Sequence, residues 1–364
     1  MKRLWIQVHL WLGLSLGVLG IFIGITGSIL VYDNEIDARL NPQRYAVSSA
    51  KVALPYGDYL KSAAQALEGR ARPFNLRLPE DEGMPVVVFA REGRSGGAAG
   101  GPANITRLYL DPPTGKVLEA AAGGGFIGWV HAFHENLTLR EYLGREIVGL
   151  VGFAMLISSL SGIYLWWPAR GRLREALGAR PGFRLSRNLH YLFGIYGAIV
   201  LAMLSFTGIW LAYAEAGRSV VSVFSPVAPR NMQAPERPEG GKPIPLEEAV
   251  RIAQALYPGT PVAGIGLPAG PRGVYRVSLN TEGSTTPVSQ AAVFIDPRSG
   301  KVLRNSGPAT RSGGDHFLIL QRLLHEGSVL GPVGRALLFV TGLLPALFVA
   351  TGTLMWLRKR GTLR

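Results

Sequence analysis

The residues best suited to chemistry in this chain are its six histidines: His9, His131, His134, His190, His316 and His325. The chain has no Cys, which excludes disulfides, thiolate zinc sites, iron-sulfur clusters, a Cys nucleophile and covalent attachment of a c-type haem. A metal or redox cofactor must therefore be held by His, Met or carboxylate. A lone His near the end of an apolar segment is most simply an interfacial residue bonded to a carbonyl or lipid head group. Ionisable groups in a membrane are nevertheless costly and point to function.

Repetition changes that reading for four of the six. His9, Gly13, Thr26, Gly27 and Tyr32 recur as His190, Gly194, Thr207, Gly208 and Tyr213, all at an offset of 181. Farther on, His134-Glu135, Gly144-Arg145, Gly152, Gly162 and Trp166 recur as His325-Glu326, Gly334-Arg335, Gly342, Gly352 and Trp356. So long a period marks a duplicated architecture, each half being a span, an external domain and a second span. Both halves begin on the same side, which makes them parallel repeats about an axis along the membrane normal.

Repeat-related histidines at one depth can set two imidazoles on opposite faces of a planar cofactor. Haem iron takes axial nitrogen ligands of this kind, and without Cys the haem must be b-type. Zinc would want three or four ligands per site, and two His without an inward carboxylate fall short. A helix from His190 to Tyr213 rises about 35 Å. The inner pair, His9 and His190, is thereby separated from the outer pair, His134 and His325, by much of the bilayer, so two haems are expected. Arg145 and Arg335 recur at the external ends of their spans, where guanidinium groups could meet haem propionates or simply snorkel to the interface. His131 has Arg322 in the matching place and His316 has Gly125, which leaves both as secondary candidates.

The elements that must carry these residues are membrane spans. With 48% apolar and 17% charged residues and a mean hydropathy of +0.21, the 364-residue chain reads as a membrane protein. Stretches 6–32, 147–167, 189–213 and 336–357 each reach the length of about 20 apolar residues that a bilayer requires, and none holds Asp, Glu, Lys or Arg. The first is longer than a signal-peptide core and lacks a small-residue cleavage site after it, so it reads as a retained anchor. Without the acidic residues of a proton relay or ion pathway, electrons suit these spans better as cargo.

Lys2, Arg3, Arg170, Arg172, Arg174, Arg180, Arg184, Arg187, Arg358, Lys359, Arg360 and Arg364 crowd three short segments whose one acid is Glu175. These segments are placed in the cytoplasm by the positive-inside rule. A pI near 10.3 is thus consumed by topology, and no nucleic-acid partner is expected. The two long external connections read as α+β, with helices over 59–67 and 246–256 and strands near 86–90 and 274–279. Asp111-Pro112-Pro113-Thr114-Gly115-Lys116 and Asp296-Pro297-Arg298-Ser299-Gly300-Lys301 read as turns between strands, where Asp bonds the backbone and Gly takes positive φ. Residues 94–102 are a Gly-rich loop tip.

Three motifs are set aside. Gly123-Gly124-Gly125-Phe126-Ile127-Gly128 fits G-x-G-x-x-G but lacks a βαβ context and reads as a hinge before a helix. Gly13-Leu14-Ser15-Leu16-Gly17 fits a nucleophile elbow but lies within a span, where small residues serve helix packing. His134-Glu135 and His325-Glu326 lack the second His of a zinc protease.

The ordered set His9-x-x-x-Gly13 with Thr26-Gly27, the two Asp-Pro-x-x-Gly-Lys-Val modules, Gly162 with Trp166-Trp167-Pro168, and Leu324-His325-Glu326-Gly327 resembles the PepSY-associated transmembrane family over nearly the whole chain. The resemblance implies a bacterial inner-membrane protein: a four-helix transmembrane bundle with two α+β PepSY-like periplasmic domains, arranged as a tandem parallel duplication. The expected parts are span one at 1–33, periplasmic domain one at 34–125, and an interfacial helix with span two at 126–168. A basic cytoplasmic loop at 169–187 and span three at 188–214 follow. Periplasmic domain two at 215–315, an interfacial helix with span four at 316–358, and a cytoplasmic tail at 359–364 complete the chain.

Family members of this kind include haem-containing ferric-siderophore reductases. The resemblance therefore implies two b haems on His9, His190, His134 and His325, a separate donor such as a cytoplasmic flavoprotein or quinol, and a periplasmic ferric siderophore or other acceptor. The rival expectation is a non-catalytic PepSY-type binding or regulatory protein that engages peptides or a peptidase, its histidines being interfacial. Transport of iron chelates is disfavoured by spans so poor in polar residues.

Overall fold

Long helical runs alternate along the chain with short stretches of period two, and the architecture follows that division. The computed structural model describes residues 1–92, 105–167, 184–229, 232–234, 243–281 and 289–362. The Gly-rich insert and most of the basic loop expected at 169–187 lie outside the described residues. In chain order the elements are α1 (Lys2–Leu14), α2 (Leu16–Leu30), α3 (Asp33–Leu40), α4 (Tyr56–Leu67), β1 (Ala71–Arg77), β2 (Val86–Glu92), β3 (Ile105–Leu110), β4 (Val117–Ala122), α5 (Gly125–Asn136), α6 (Gly144–Trp166), α7 (Leu185–Ala212), α8 (Ala214–Ser222), α9 (Leu246–Leu256), β5 (Val262–Gly266), β6 (Tyr275–Asn280), β7 (Gln290–Ile295), β8 (Val302–Ser306), α10 (Gly313–Glu326) and α11 (Gly331–Lys359). They form two compact units. One comprises Met1–Asp33, Val130–Val220 and Leu320–Arg364, and the other comprises Asn34–Trp129 and Val221–Ile319.

Among the described residues of the first unit three helices are long and apolar enough to cross a membrane: Gly144–Trp166, Leu185–Ala212 and Ser328–Lys359. A fourth span results if α1 and α2, bent by 56° at their junction, are one crossing. The sequence predicts an unbroken helix there, and the break falls on Ser15, in the set-aside Gly13-Leu14-Ser15-Leu16-Gly17 motif. The Ser15 hydroxyl donates to the Trp11 carbonyl at 2.6 Å, and its backbone leaves helical values at φ −96 and ψ −82. A Ser that bonds back to the preceding turn competes with the helix ladder and bends it. The repeat-matched position on α7 is Tyr196, and α7 runs unbroken for 28 residues.

Close packing in this unit depends on small residues, since lipid offers no hydrophobic drive between helices. A Cβ on Gly24 would lie 2.2 Å from the Gly342 carbonyl oxygen, and one on Gly342 would lie 2.3 Å from Ser28 Oγ. The bare backbones let α2 approach α11 closely enough for Ser28 to donate to the Phe339 carbonyl at 2.8 Å.

The second unit contains an antiparallel eight-stranded sheet in the order β4-β3-β2-β1-β5-β6-β7-β8. Two modules each supply four strands and meet edge to edge where β1 pairs with β5, with Leu76 opposite Ile265. Pairing removes two exposed edges at once. Leu76, Val88, Leu108, Ile265, Val277 and Val293 are buried against Tyr59 and Ala63 of α4 and Ala249 and Ala253 of α9. Both Asp-Pro-x-x-Gly-Lys elements turn as the sequence predicts. Thr114 Oγ1 donates to Asp111 at 2.6 Å and Ser299 Oγ to Asp296 at 2.7 Å, and Gly115 and Gly300 both have φ +67. Beside the sheet, Arg44 donates to Asp37 at 2.7 Å and to Glu119 at 2.7 Å. The Arg44 hydrogen bond holds the Glu119 carboxyl below the ordinary range.

Ile265 is fully buried at the junction strand. Ile265→Ala is expected to cost about 2–5 kcal/mol, the range for truncating a buried Ile, read as a lower unfolding midpoint by circular dichroism of the purified chain.

Candidate functional site: two histidine pairs

The structure brings together the four repeat-matched histidines as two pairs. The ring centroids of His9 and His190 are 6.2 Å apart with their planes at 80°, and those of His134 and His325 are 6.1 Å apart at 50°. Two imidazoles on opposite sides of one metal ion, with metal–nitrogen bonds of about 2 Å, place their centroids about 6.3 Å apart. Both pairs have that separation. Along α7 the first pair contributes His190 itself, whereas the second is reached through Thr207, 17 residues on, about 25 Å along the axis.

Each ring is held from outside the pair through Nδ1. His9 Nδ1 lies 3.0 Å from Ser161 Oγ, His190 Nδ1 2.9 Å from Thr351 Oγ1, His134 Nδ1 3.2 Å from Thr26 Oγ1, and His325 Nδ1 2.9 Å from Thr207 Oγ1. The direction of these bonds follows from the hydroxyl hydrogens, which go to carbonyls of the hydroxyls' own helices. Thr26 donates to Phe22 at 2.7 Å, Thr207 to Met203 at 2.8 Å, Thr351 to Leu347 at 2.6 Å and Ser161 to Ser158 at 3.1 Å. Each hydroxyl oxygen is therefore left to accept, and each imidazole donates from Nδ1–H. His134 adds a second bond from Nδ1 to the Ile23 carbonyl at 3.0 Å, a group that can only accept. With Nδ1 protonated in this network, Nε2 keeps its lone pair, the arrangement in which a second shell orients a metal-binding imidazole. Burial lowers the His134 imidazole, and it lowers that of His325 to about 4, so both stay neutral at physiological pH.

Glycines next to the same hydroxyls make room for the rings. A Cβ on Gly27 would lie 2.9 Å from His134 Cε1, on Gly208 3.2 Å from His325 Cε1, on Gly162 3.3 Å from His9 Cε1 and on Gly352 3.6 Å from His190 Cε1. Each His thus sits on a hydroxyl-Gly dipeptide of another helix: Ser161-Gly162, Thr351-Gly352, Thr26-Gly27 and Thr207-Gly208. None of these four hydroxyl residues stands among the site residues expected from the sequence. Their signal was in the sequence, since they are repeat mates standing before the repeated glycines.

The remaining candidates lie elsewhere. His131 is half-exposed, its Nε2 3.9 Å from Asp33, and His316 faces the Ser312 carbonyl of its own helix at 3.0 Å. Arg145 bonds Glu135 at 3.1 Å. Arg335 donates to the Val31 carbonyl at 2.7 Å and 3.0 Å and lies over the Tyr32 ring at 4.7 Å. Among the described residues no cluster of three or more His, Asp or Glu could hold a bare metal ion. The two pairs therefore suit a group that brings most of its own ligands.

Apolar helices long enough to span a membrane, an antiparallel sheet unit and paired imidazoles define a membrane protein with two matched histidine pairs. The family model for the PepSY-associated TM region matches residues 6–359, and the chain belongs to that family. A comparison with curated proteins finds no match.

Thr207→Val removes the acceptor for His325 Nδ1–H and is expected to cost about 1–3 kcal/mol, as for a buried donor left unpaired. Thr207→Ser restores the hydroxyl and should recover most of it. Thermal unfolding of the detergent-solubilised variants checks both.

Proposed function

We propose that the chain carries two b-type haems and conducts electrons across a bacterial inner membrane to a periplasmic ferric chelate, a siderophore complex in particular. The observation that supports this reading most is the pair of imidazole pairs at metal-bridging separation, every ring anchored through Nδ1 with Nε2 left to bind. His9 and His190 would hold one group and His134 and His325 the other. The donor set fits: two neutral imidazole nitrogens at each site would hold the iron of a b-type haem, which brings its remaining ligands itself. When bound, such groups supply one-electron chemistry.

The residues' own parts are orientation and exclusion of water. Ser161, Thr351, Thr26 and Thr207 fix ring rotation, and the apolar helices keep the sites dry. On this reading the chain is a duplicated four-helix bundle with its termini in the cytoplasm and its sheet unit in the periplasm. A cytoplasmic flavoprotein or a quinol gives up the electron, and the Fe(III) chelate gains it. Hard oxygen donors hold Fe(II) less tightly than Fe(III), so reduction frees the iron.

The test is a visible spectrum of the purified chain, oxidised and dithionite-reduced, from cells supplied with haem. A Soret band with sharp reduced α and β bands is expected, at about two haems per chain, falling to about one in His9→Ala or His325→Ala. Full haem content in His9→Ala would refute the inner pair. A colourless protein would sink the whole reading and favour a peptide-binding or regulatory role.

A further inference from the structure

A cavity of about 410 Å³ lies at the end of α7 and α11 nearest His190, lined by Arg184, Ser186, Leu189, Thr351, Leu354 and Arg358 among others. Thr351 links it to the site, because the same hydroxyl accepts from His190 Nδ1. Arg358 donates from one terminal nitrogen to Ser186 Oγ at 3.1 Å, whereas its Nε is closed off from solvent and meets no hydrogen-bond partner among the described residues. Arg184 and Arg358 thus bring two guanidinium groups to its lining. None of the described lining residues is acidic. Arg184 stands at the N-terminus of a 28-residue helix that no side chain caps, and that end of a helix adds its own positive field.

The chemistry that completes such a cavity is an anionic oxygen group on an apolar body. Arg184 lies six residues from His190 and Arg358 seven from Thr351, about 9–10.5 Å along the helices, the scale on which carboxylate arms stand away from a ring-bound metal. The matching positions of the first half are Arg3 for Arg184, Trp5 for Ser186 and Pro168 for Arg358.

We propose that the Arg184–Arg358 cavity receives the carboxylates of the haem held between His9 and His190, an inference that rests on the two-haem reading. Two arginines that look like topology signals in the sequence thereby bind and orient the cofactor, with its carboxylate edge toward the cytoplasm. The same chemistry could be met by a phospholipid phosphate, and the experiment separates the two.

The full-length apo chain, carrying His134→Ala and His325→Ala to silence the outer pair, is titrated in detergent with haem b and with its uncharged dimethyl ester, and low-spin haem is read optically. The arginine-intact chain is expected to prefer the acid by about tenfold or more, the value of a charge-assisted hydrogen bond. R184Q/R358Q should lose that preference while still giving the bis-imidazole spectrum with the ester, which also shows that it folds. R184K/R358K should keep part of the preference. Equal affinity of the arginine-intact chain for acid and ester overturns the inference, as does a preference that survives in R184Q/R358Q. Equal affinity together with a co-purifying phospholipid that R184Q/R358Q lacks assigns the cavity to a lipid phosphate instead. If neither porphyrin binds the arginine-intact chain, the two-haem reading itself has failed, a result distinct from uptake without discrimination.

Discussion

One hydrogen bond, made four times, governs the site: imidazole Nδ1–H to a Ser or Thr hydroxyl whose own hydrogen is committed to a helix carbonyl. The commitment gives the bond its direction. A hydroxyl free to rotate could donate as readily as accept and would leave either tautomer available. Tied to the preceding turn, it is left to accept, and the ring keeps its lone pair on Nε2. In the low dielectric between apolar helices such a bond is strong, and its absence would be correspondingly expensive.

The glycines beside those hydroxyls are the steric half of the same constraint. Any Cβ at Gly27 would enter the space of the His134 ring, so hydroxyl and glycine must be adjacent for the imidazole to be bonded on one side and packed on the other. Close helix approach serves this end as well, because the bond spans two helices and tolerates little slack. The sheet unit obeys different physics, with alternating Val, Ile and Leu buried under α4 and α9 and strand edges satisfied by pairing.

The two halves are alike at the rings and unlike around them. Ser15 breaks the first membrane segment at a position where α7, with Tyr196, continues as one helix. Matched histidine pairs thus stand in unmatched helical surroundings.

The histidine pairs were legible because a period of 181 residues turns isolated residues into repeat mates, and both Asp-Pro-x-x-Gly-Lys turns were legible because their chemistry is local. The break at Ser15 was not, since Gly-Leu-Ser-Leu-Gly is compatible with a straight or a bent helix until a carbonyl claims the hydroxyl. Nor was the β1–β5 junction, for Asn75-Leu76-Arg77 and Gly264-Ile265-Gly266 look like any other edge strands. Sequence alone therefore determined which segments are apolar enough for a bilayer, where the strands turn and which histidines correspond, all matters of composition, short-range geometry and periodicity. Only tertiary structure decided which hydroxyl holds which ring and which arginine reaches Ser186, because those contacts join residues more than 100 positions apart and depend on distances between helices that no local pattern encodes.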